Sequence, residues 1–417
     1  MGSGADRSFL YHIIPTYFGF MTALNEFNRL KPLRYLLSAA LLAGIFLSRE
    51  LWFPSNRSFP RVPFLIALPE AVVVPVERLL CVILSGALIL TPFVRRANRV
   101  SAIAVTSLGL LIFFDQMRLQ PWVYQYLLLL GVLTLHREQT KDGPIPNHTL
   151  GQLQIVVAAL YIWSGVQKLN FSFSHEVLPK LLAPLQNVLS VVHMPLVAAG
   201  IGVALVETLI GCGLLFRRTR ELCVWMAVGM HGLILGLLMA RGYNSVVWAW
   251  NAALALIVVA LFLRSETAPW QTLRNWSAVN TTTRLAQAVV IASALLPVLS
   301  FWGWWDMCLS GALYSGNTAV AVVRINEAAY KNLPQTAQRQ VFRTKSDGVQ
   351  VLPLFEWSMA ELNVPPYPEP RIFRRLTSQV CKLAEGISEV ELVMKERPTI
   401  LDGSYQVTRV SCSHLDR

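Results

Sequence analysis

The stretch LVAAGIGVALVETLIGCGLLF (residues 196–216) has one charged side chain, Glu207, in its 21 residues. An apolar run of this length can cross the hydrocarbon layer of a bilayer as a single α-helix, which takes roughly 20 residues. A basic connection at 217–221 follows, and a second apolar run then extends to 240. The two runs predict a transmembrane helical hairpin.

Comparable runs recur along the chain, and the overall composition agrees with them. Of 417 residues, 54% are hydrophobic and only 14% are charged, which excludes an ordinary soluble globular protein. We predict an all-α polytopic membrane helix bundle followed by a small α+β extramembrane domain. The bundle occupies 33–305, after an N-terminal segment 1–32 and before a tail at 306–417. We place about nine spans at 33–48, 71–94, 100–115, 121–136, 150–168, 195–216, 222–240, 245–263 and 285–305.

The basic residues between these spans predict an orientation, because cytoplasmic connections are enriched in Lys and Arg. With the N-terminus inside, the cytoplasmic connections hold the larger set: Arg95, Arg96, Arg99, Arg137, Lys141, Arg217, Arg218, Arg220, Arg264, Arg274 and Arg284. The opposite connections hold fewer: Arg49, Arg57, Arg61, Arg118, Lys180 and Arg241. We therefore expect a cytoplasmic N-terminus and, with an odd number of spans, an outward-facing tail.

The formal net charge of +12 has the same topological origin. The tail from 306 onward holds 13 Lys and Arg against 12 Asp and Glu, so the basic excess belongs to the membrane part and its loops. Such an excess attracts anionic lipid. We expect the lipid bilayer as partner and no nucleic acid, and the sequence indicates no particular protein partner.

The tail has the patterning of a folded α+β domain. Strands are predicted at 319–325, on either side of the Asp347-Gly348 turn, and in a hairpin at 390–410, with helices between them. Cys381 and Cys412 would face an oxidising compartment, so a disulfide between them is possible. The cysteines have no zinc-type spacing, and no metal site is predicted.

Charged groups deep in a membrane are costly and mark functional sites. Among the ionisable residues of the predicted spans, three stand out: Lys168, Glu207 and His231. Counting residues from the centre of the 217–221 connection puts Glu207 and His231 at matching depth, roughly 18 Å from it. A carboxylate and an imidazole at one depth can share a proton, as acid–base chemistry requires, or they can join two helices as packing partners.

Lys168 ends the segment AALYIWSGVQKLN (158–170) and has two interpretations. Its amine can snorkel to the interface, as lysines near helix ends do. If packing keeps it from water, desolvation favours the neutral amine, which is a base. We expect it roughly 9 Å nearer the outer face than Glu207, so a direct contact would need helix tilt or side-chain reach.

Several ordered blocks resemble the vitamin K-dependent γ-carboxylase and its bacterial relatives, which share the horizontally transferred transmembrane (HTTM) domain. YIWSGVQKLN (161–170) is similar to the family's Tyr-x3-Gly-x-Lys-Lys-Leu-Asp block, with Lys168 on the second lysine. GLLFRRTR (213–220) resembles a helix end of the family, and His231 falls in its Phe-His block. DQMRLQPWVYQYLLLL (115–130) resembles an Asp-Lys-x-x-Trp block followed by a Tyr-x-Tyr helix. The resemblance implies a bacterial plasma (inner) membrane enzyme in which Lys168 deprotonates a reduced quinone, with Glu207 and His231 in supporting roles.

Two positions depart from the family pattern. Trp122 stands where the carboxylase has a functional histidine, and Gln167 replaces the first lysine of the pair. A weaker similarity, through the bundle and the SGxxKL block, is to the DoxX/MauE group of redox-associated membrane proteins. Three functions remain open: a quinone-linked carboxylase-like enzyme, a DoxX/MauE-like accessory protein with a bound quinone or lipid-like ligand, and a non-catalytic membrane scaffold.

Overall fold

The computed structural model describes residues 26–53, 57–64, 69–94, 96–135, 146–185, 195–242, 244–274, 281–345, 347–383 and 390–415. Within these ranges a bundle of apolar helices precedes a small sheet domain. The bundle helices are α1 (Glu26–Leu47), α2 (Glu70–Leu90), α3 (Ala97–Phe114), α4 (Pro121–Leu135), α5 (Pro146–Gln167), α6 (Leu196–Leu214), α7 (Arg217–Ala240), α8 (Ser245–Phe262) and α9 (Thr281–Leu295).

The predicted class, a helical membrane bundle with a small α+β tail, is confirmed at this level. In the described part of the chain, eight helices are long and apolar enough to cross a membrane, and α4, with 15 residues, is shorter. Within the described residues the first helix runs from Glu26 rather than from 33, and it continues through Pro32. Of the predicted N-terminal segment, residues 1–25 lie outside the described residues.

The bundle has an inner and an outer set of helices. About two thirds of α5 and of α8 are buried, whereas less than a third of α6, α7 and α9 is. Many exposed positions of the outer set are large and apolar, as in Leu209 and Leu222, and suit contact with lipid tails. The polar residues of α5 and α8 are consequently held among other helices.

The C-terminal domain is a five-stranded antiparallel sheet in the order β2-β3-β1-β4-β5. Its strands are β1 (Val320–Ile325), β2 (Phe342–Arg343), β3 (Gln350–Pro353), β4 (Glu391–Lys395) and β5 (Val407–Ser411). Helices α10 (Leu354–Leu362) and α11 (Pro370–Cys381) pack on one face of the sheet. A disulfide joins Cys381 at the end of α11 to Cys412 after β5, with their Cα atoms 5.8 Å apart.

The domain rests on one end of the bundle. Asn363 donates hydrogen bonds from Nδ2 to the carbonyl of Leu47 at 2.9 Å and to Ser245 Oγ at 2.8 Å. The Phe171 amide donates to the Ile400 carbonyl at 2.9 Å, in the loop between β4 and β5. These contacts involve the connections after α1, after α5 and before α8, which the sequence places on the outer side.

A buried ion cluster, absent from the sequence-based predictions, supports this end of the bundle. Arg118 Nη1 lies 2.6 Å from Glu77 Oε1, and both side chains are fully buried. Beside them, Arg57 Nη1 lies 2.6 Å from Asp115 Oδ2. Because breaking a buried pair leaves an uncompensated charge, this cluster ties α2, the end of α3 and the segment under the domain into one unit.

A carboxyl group with a raised pKa lies just before α11, where the C-terminal domain contacts the segment that follows the bundle. Glu369 Oε1 accepts a hydrogen bond from the Met307 amide at 2.9 Å. Burial, reinforced by the neighbouring Asp306 carboxylate, raises the pKa of Glu369 to about 7, although the Met307 amide and Arg371 favour its charged form. Between pH 4.5 and about 7 the folded protein therefore keeps the Glu369 carboxyl protonated, whereas an unfolded chain releases this proton near the ordinary pKa of 4.5.

We expect thermal stability to fall as the pH rises from about 5 to about 8, because stability from a raised carboxyl pKa is lost between the unfolded and folded pKa values. The contribution of Glu369 is on the order of 2–3 kcal/mol. Glu369→Gln keeps a neutral side chain at every pH and should flatten this dependence, while exposed Glu356→Gln should not. Melting curves at several pH values test this, and equal slopes for Glu369→Gln and the parent would contradict it.

Candidate functional site

The two ionisable residues predicted from α5 and α6 are in direct contact. Lys168 Nζ donates to Glu207 Oε2 at 2.7 Å, to Ser164 Oγ at 2.7 Å and to the Ser164 carbonyl at 3.2 Å. The side chains of Lys168 and Glu207 are 11% and 9% exposed. Since an ammonium group has three donors, these bonds occupy all of them.

Helix packing and side-chain direction together remove the expected 9 Å offset between Lys168 and Glu207. A Cβ atom added at Gly165 would lie 2.5 Å from the Thr208 amide nitrogen, and one at Gly211 would lie 2.7 Å from Ile162. The two glycines therefore let α5 and α6 approach closely. The Lys168 side chain also turns back along its own helix to Ser164, as helical side chains tend to do.

A second hydrogen-bonded set lies on α5, α7 and α8. Tyr161 Oη lies 2.5 Å from His231 Nε2, and His231 Nδ1 lies 2.8 Å from Asn251 Oδ1. Asn251 uses its Nδ2 to donate to the Val247 carbonyl at 2.8 Å, so its Oδ1 is the acceptor facing the ring. His231 then carries its proton on Nδ1 and accepts the Tyr161 hydroxyl at Nε2.

Glu207 and His231 do not bond each other in the described structure, although their matching depth suggested that they could. In the described part of the chain Glu207 bonds Lys168, and His231 bonds Tyr161 and Asn251. Equal depth did bring the two residues near each other, since Glu207 and Lys168 both act electrostatically on His231. Depth does not fix which way a side chain faces around its helix, so it could not specify the bond.

The geometry leaves one acceptor position open. Glu207 Oε2 is taken by Lys168, whereas Oε1 has no hydrogen-bond partner among the described residues. The partial exposure of both side chains means that the pair is not sealed from surrounding molecules. A ligand or water that donates a proton or hydrogen bond can therefore meet the carboxylate beside the amine.

The two positions that depart from the family pattern are structural here. Trp122 is buried between Trp52 and Tyr126, with ring centroids 6.1 and 6.4 Å away. Gln167 donates to Ser300 Oγ at 2.8 Å and accepts from Asn317 Nδ2 at 2.7 Å. Gln167 thus joins the end of α5 to the segments that lead into the C-terminal domain.

Ser164 and Tyr161 belong to the site but were not singled out from the sequence. Ser164 and Tyr161 precede Lys168 by four and seven residues, the spacing that aligns side chains on one helical face. This spacing from Lys168 could have been used to predict both residues from the sequence. The site as observed consists of Tyr161, Ser164, Lys168, Glu207, His231 and Asn251.

Comparisons of the chain with protein-family models, with curated proteins and with solved structures find no match. The geometry of the site and the blocks of sequence described above both single out Lys168, Glu207 and His231.

Proposed function

We propose that this chain is a multi-pass membrane enzyme whose Lys168–Glu207 pair transfers a proton to or from a lipid-soluble substrate. The observation that carries the proposal is the contact of these two side chains inside apolar helices, with one carboxylate oxygen left open. Ionisable groups at such depth are costly and mark functional sites. The proposal gives each residue a definite task.

Glu207 receives the proton of a hydrogen-bonded substrate at Oε1, while the Lys168 ammonium stabilises the carboxylate and orients it through Oε2. If Glu207 instead takes the proton of Lys168, the amine gains a lone pair and becomes the base, as the resemblance to the carboxylase suggests. Ser164 holds the amine in place in either case. The pair thus acts as one acid–base unit.

Tyr161, His231 and Asn251 form a second path for the proton. Neutral His231 accepts from Tyr161 at Nε2 while Asn251 holds the opposite nitrogen. The ring can take the Tyr161 hydroxyl proton at Nε2 while the Tyr161 oxygen takes a proton from the Lys168–Glu207 pair. His231 is then an imidazolium whose Nδ1–H still bonds Asn251, and the proton returns to the pair by the reverse steps. We propose that this set relays protons for the Lys168–Glu207 pair.

A reduced quinone is the cofactor that the sequence resemblance suggests. Its hydroxyl groups would supply protons and reducing electrons when bound. The open acceptor on Glu207 fits a hydroxyl donor, and Lys168 beside it fits the negative charge that remains after deprotonation. Glu207 would hold the hydroxyl and Lys168 would balance the charge.

We further propose nine crossings, a cytoplasmic N-terminus and an outward C-terminal domain, in a bacterial plasma membrane. Support comes from the contacts of the domain with connections that all fall on the predicted outer side. Gln120, just before α4, also reaches the domain through the Pro365 carbonyl at 3.1 Å, while α5 ends at that same side. This arrangement supports a ninth crossing through α4.

Mass spectrometry of lipid-soluble molecules that co-purify with the protein tests the proposal. We expect a quinone or a related amphiphile in the parent, and its loss in Glu207→Gln without a loss of the folded state. Lys331→Met, on the surface of the C-terminal domain, serves as the matched control. A protein that carries no such molecule, and whose Lys168, Glu207 and His231 variants all behave like the parent, would favour the scaffold instead.

A bound quinone alone does not separate the enzyme from a DoxX/MauE-like accessory protein. Incubation of the loaded protein with carbon dioxide and glutamate-containing peptides would separate them. Carboxylated product supports the enzyme, and retained quinone without carbon dioxide fixation supports the accessory role.

A further inference from the structure

The connection between β4 and β5 reaches the ends of two bundle helices. Arg397, at its start, donates hydrogen bonds to the carbonyls of Ser300 and Phe301, the second at 2.8 Å, where the span that contains α9 ends. Further along, the Ile400 carbonyl accepts the Phe171 amide at 2.9 Å, just beyond the end of α5. The connection therefore lies at the level where two apolar spans leave the membrane.

The tip of this connection is a closed turn that presents one leucine. The Asp402 carboxylate accepts hydrogen bonds from the Thr399 hydroxyl and from the amide and hydroxyl of Ser404. The turn's own donors thus satisfy its one acidic group, and Gly403 supplies the left-handed backbone with φ at 69°. Leu401 remains on the outside, with 90% of its surface exposed.

The exposed leucine belongs to a patch of apolar and aromatic side chains. Beside it in the turn, Ile400 is 43% exposed, and Phe171 at the end of α5 is 36% exposed. At the end of the α9 span, Trp302 and Trp304 are 63% and 75% exposed. Tryptophan is enriched where a bilayer meets water. The patch therefore combines two span ends of the bundle with one turn of the C-terminal domain.

The position of Leu401 identifies what covers it. Single exposed apolar residues are common on protein surfaces, so exposure alone would indicate nothing. Among the described residues of 320–415, however, Leu401 is the only exposed leucine, and it is in the turn that is bonded to the span ends. The patch continues the apolar outer surface of the bundle, which faces lipid tails. Lipid is thus the apolar phase next to it.

We propose that the β4–β5 connection anchors the C-terminal domain to the membrane, with Leu401 and Ile400 inserted among the lipids of the leaflet on the domain's side. The contact with lipid holds the sheet against the bundle from outside, in addition to the hydrogen bonds of Arg397 and Phe171. This surface goes beyond the proposed function, since it shares no residue with the Lys168 site. It also requires no particular orientation of the protein across the membrane.

The test uses the full-length protein in lipid nanodiscs, produced with photo-leucine, a diazirine analogue that keeps the shape of leucine. After illumination, peptide mass spectrometry should find lipid acyl chains attached at position 401, as at the outward-facing Leu209 and Leu222. Attachment of water alone at 401, or a cross-link from 401 to protein, would overturn the proposal. Glu207→Gln should leave the labelling unchanged, so the outcome is independent of the Lys168 site.

Lys345→Leu supplies the matched control, because it places an exposed leucine in the turn between β2 and β3. In the sheet, Val320 at the start of β1 pairs with Lys395. At the other end of β1, Ile325 pairs with Gln350. The β2–β3 turn is therefore at the opposite end of the sheet from the β4–β5 connection. Position 345 should acquire no lipid, and equal attachment at 345 and 401 would contradict an anchor.

The contribution of the anchor is measured with Leu401→Asp. A side chain that is 90% exposed packs little on its own chain, so this change should leave the fold intact. In nanodiscs it should speed hydrogen exchange of the Phe171 amide, which bonds the Ile400 carbonyl, by about tenfold, because the apolar contact with lipid is lost. Lys345→Asp should leave that amide as in the parent. Unchanged exchange in Leu401→Asp would show that the tip gains nothing from lipid and would overturn the proposal.

Discussion

Lys168→Met is expected to lower the free energy of unfolding by about 3 kcal/mol, the lower end of the range for removing one partner of a buried ion pair. The loss arises because the Glu207 carboxylate is left without its partner at 2.7 Å. The lower end of the range applies because the two side chains are still 11% and 9% exposed, so water can partly solvate the remaining charge. Denaturation of the detergent-solubilised protein measures it, and Lys331→Met should change the free energy by less than about 0.5 kcal/mol.

The double variant Lys168→Met with Glu207→Leu separates stability from function. It buries no unpaired charge, so its stability should return close to that of the parent. Under the proposed function, its bound quinone or amphiphile and its activity should remain absent. A double variant that is stable and still holds the parent's ligand would show that the pair only joins α5 to α6.

Loss of the Cys381–Cys412 disulfide is expected to destabilise the C-terminal domain by about 4 kcal/mol. The bond closes a loop with a sequence separation of 31, and cross-links of this span restrict the unfolded chain by roughly that amount. The double variant Cys381→Ala with Cys412→Ala, and the parent under reducing conditions, should show the same lowered melting transition. Cys212→Ala removes a free thiol from α6 but no cross-link, and serves as control.

The same two cysteines also report on orientation, since disulfides persist in oxidising compartments. Alkylation of thiols before cell lysis should leave Cys381 and Cys412 unmodified in the parent. If both are alkylated in a protein whose melting transition matches the reduced form, the domain faces the cytoplasm and the proposed orientation is wrong.

The elements of the C-terminal domain could be predicted because their signals are local. The strand predicted at 319–325 corresponds to β1. The predicted Asp347-Gly348 turn lies between β2 and β3. One of the helices predicted between the strands is α11, whose Ile372, Phe373 and Leu376 side chains are buried. The spacing of apolar residues and the residue types at turns are enough to predict an element whose structure is determined by neighbours along the chain.

The functional site could be predicted only in part, because its contacts depend on helix rotation and approach. Lys168, Glu207 and His231 stood out as costly charges in apolar runs, yet the partner of Glu207 depended on the close approach at Gly165. The ion pair of Glu77 and Arg118 escaped prediction altogether. Its members come from separate segments near helix ends, where charged residues ordinarily meet water or lipid headgroups.

The position of α4 inside the bundle changes how the thickness of the bilayer constrains this fold. Its 15 described residues span about 22 Å of the roughly 30 Å of a hydrocarbon core, and the residues after Leu135 lie outside the described part of the chain. On the perimeter, a helix of only that length would suffer hydrophobic mismatch and force the bilayer to thin. No residue of α4 is fully exposed, because it contacts α1, α3, α5 and α9, and only one face, which includes Tyr124, Leu128 and Gly131, is partly exposed. Protein forms most of its surroundings, so membrane thickness constrains the outer helices more than it constrains α4.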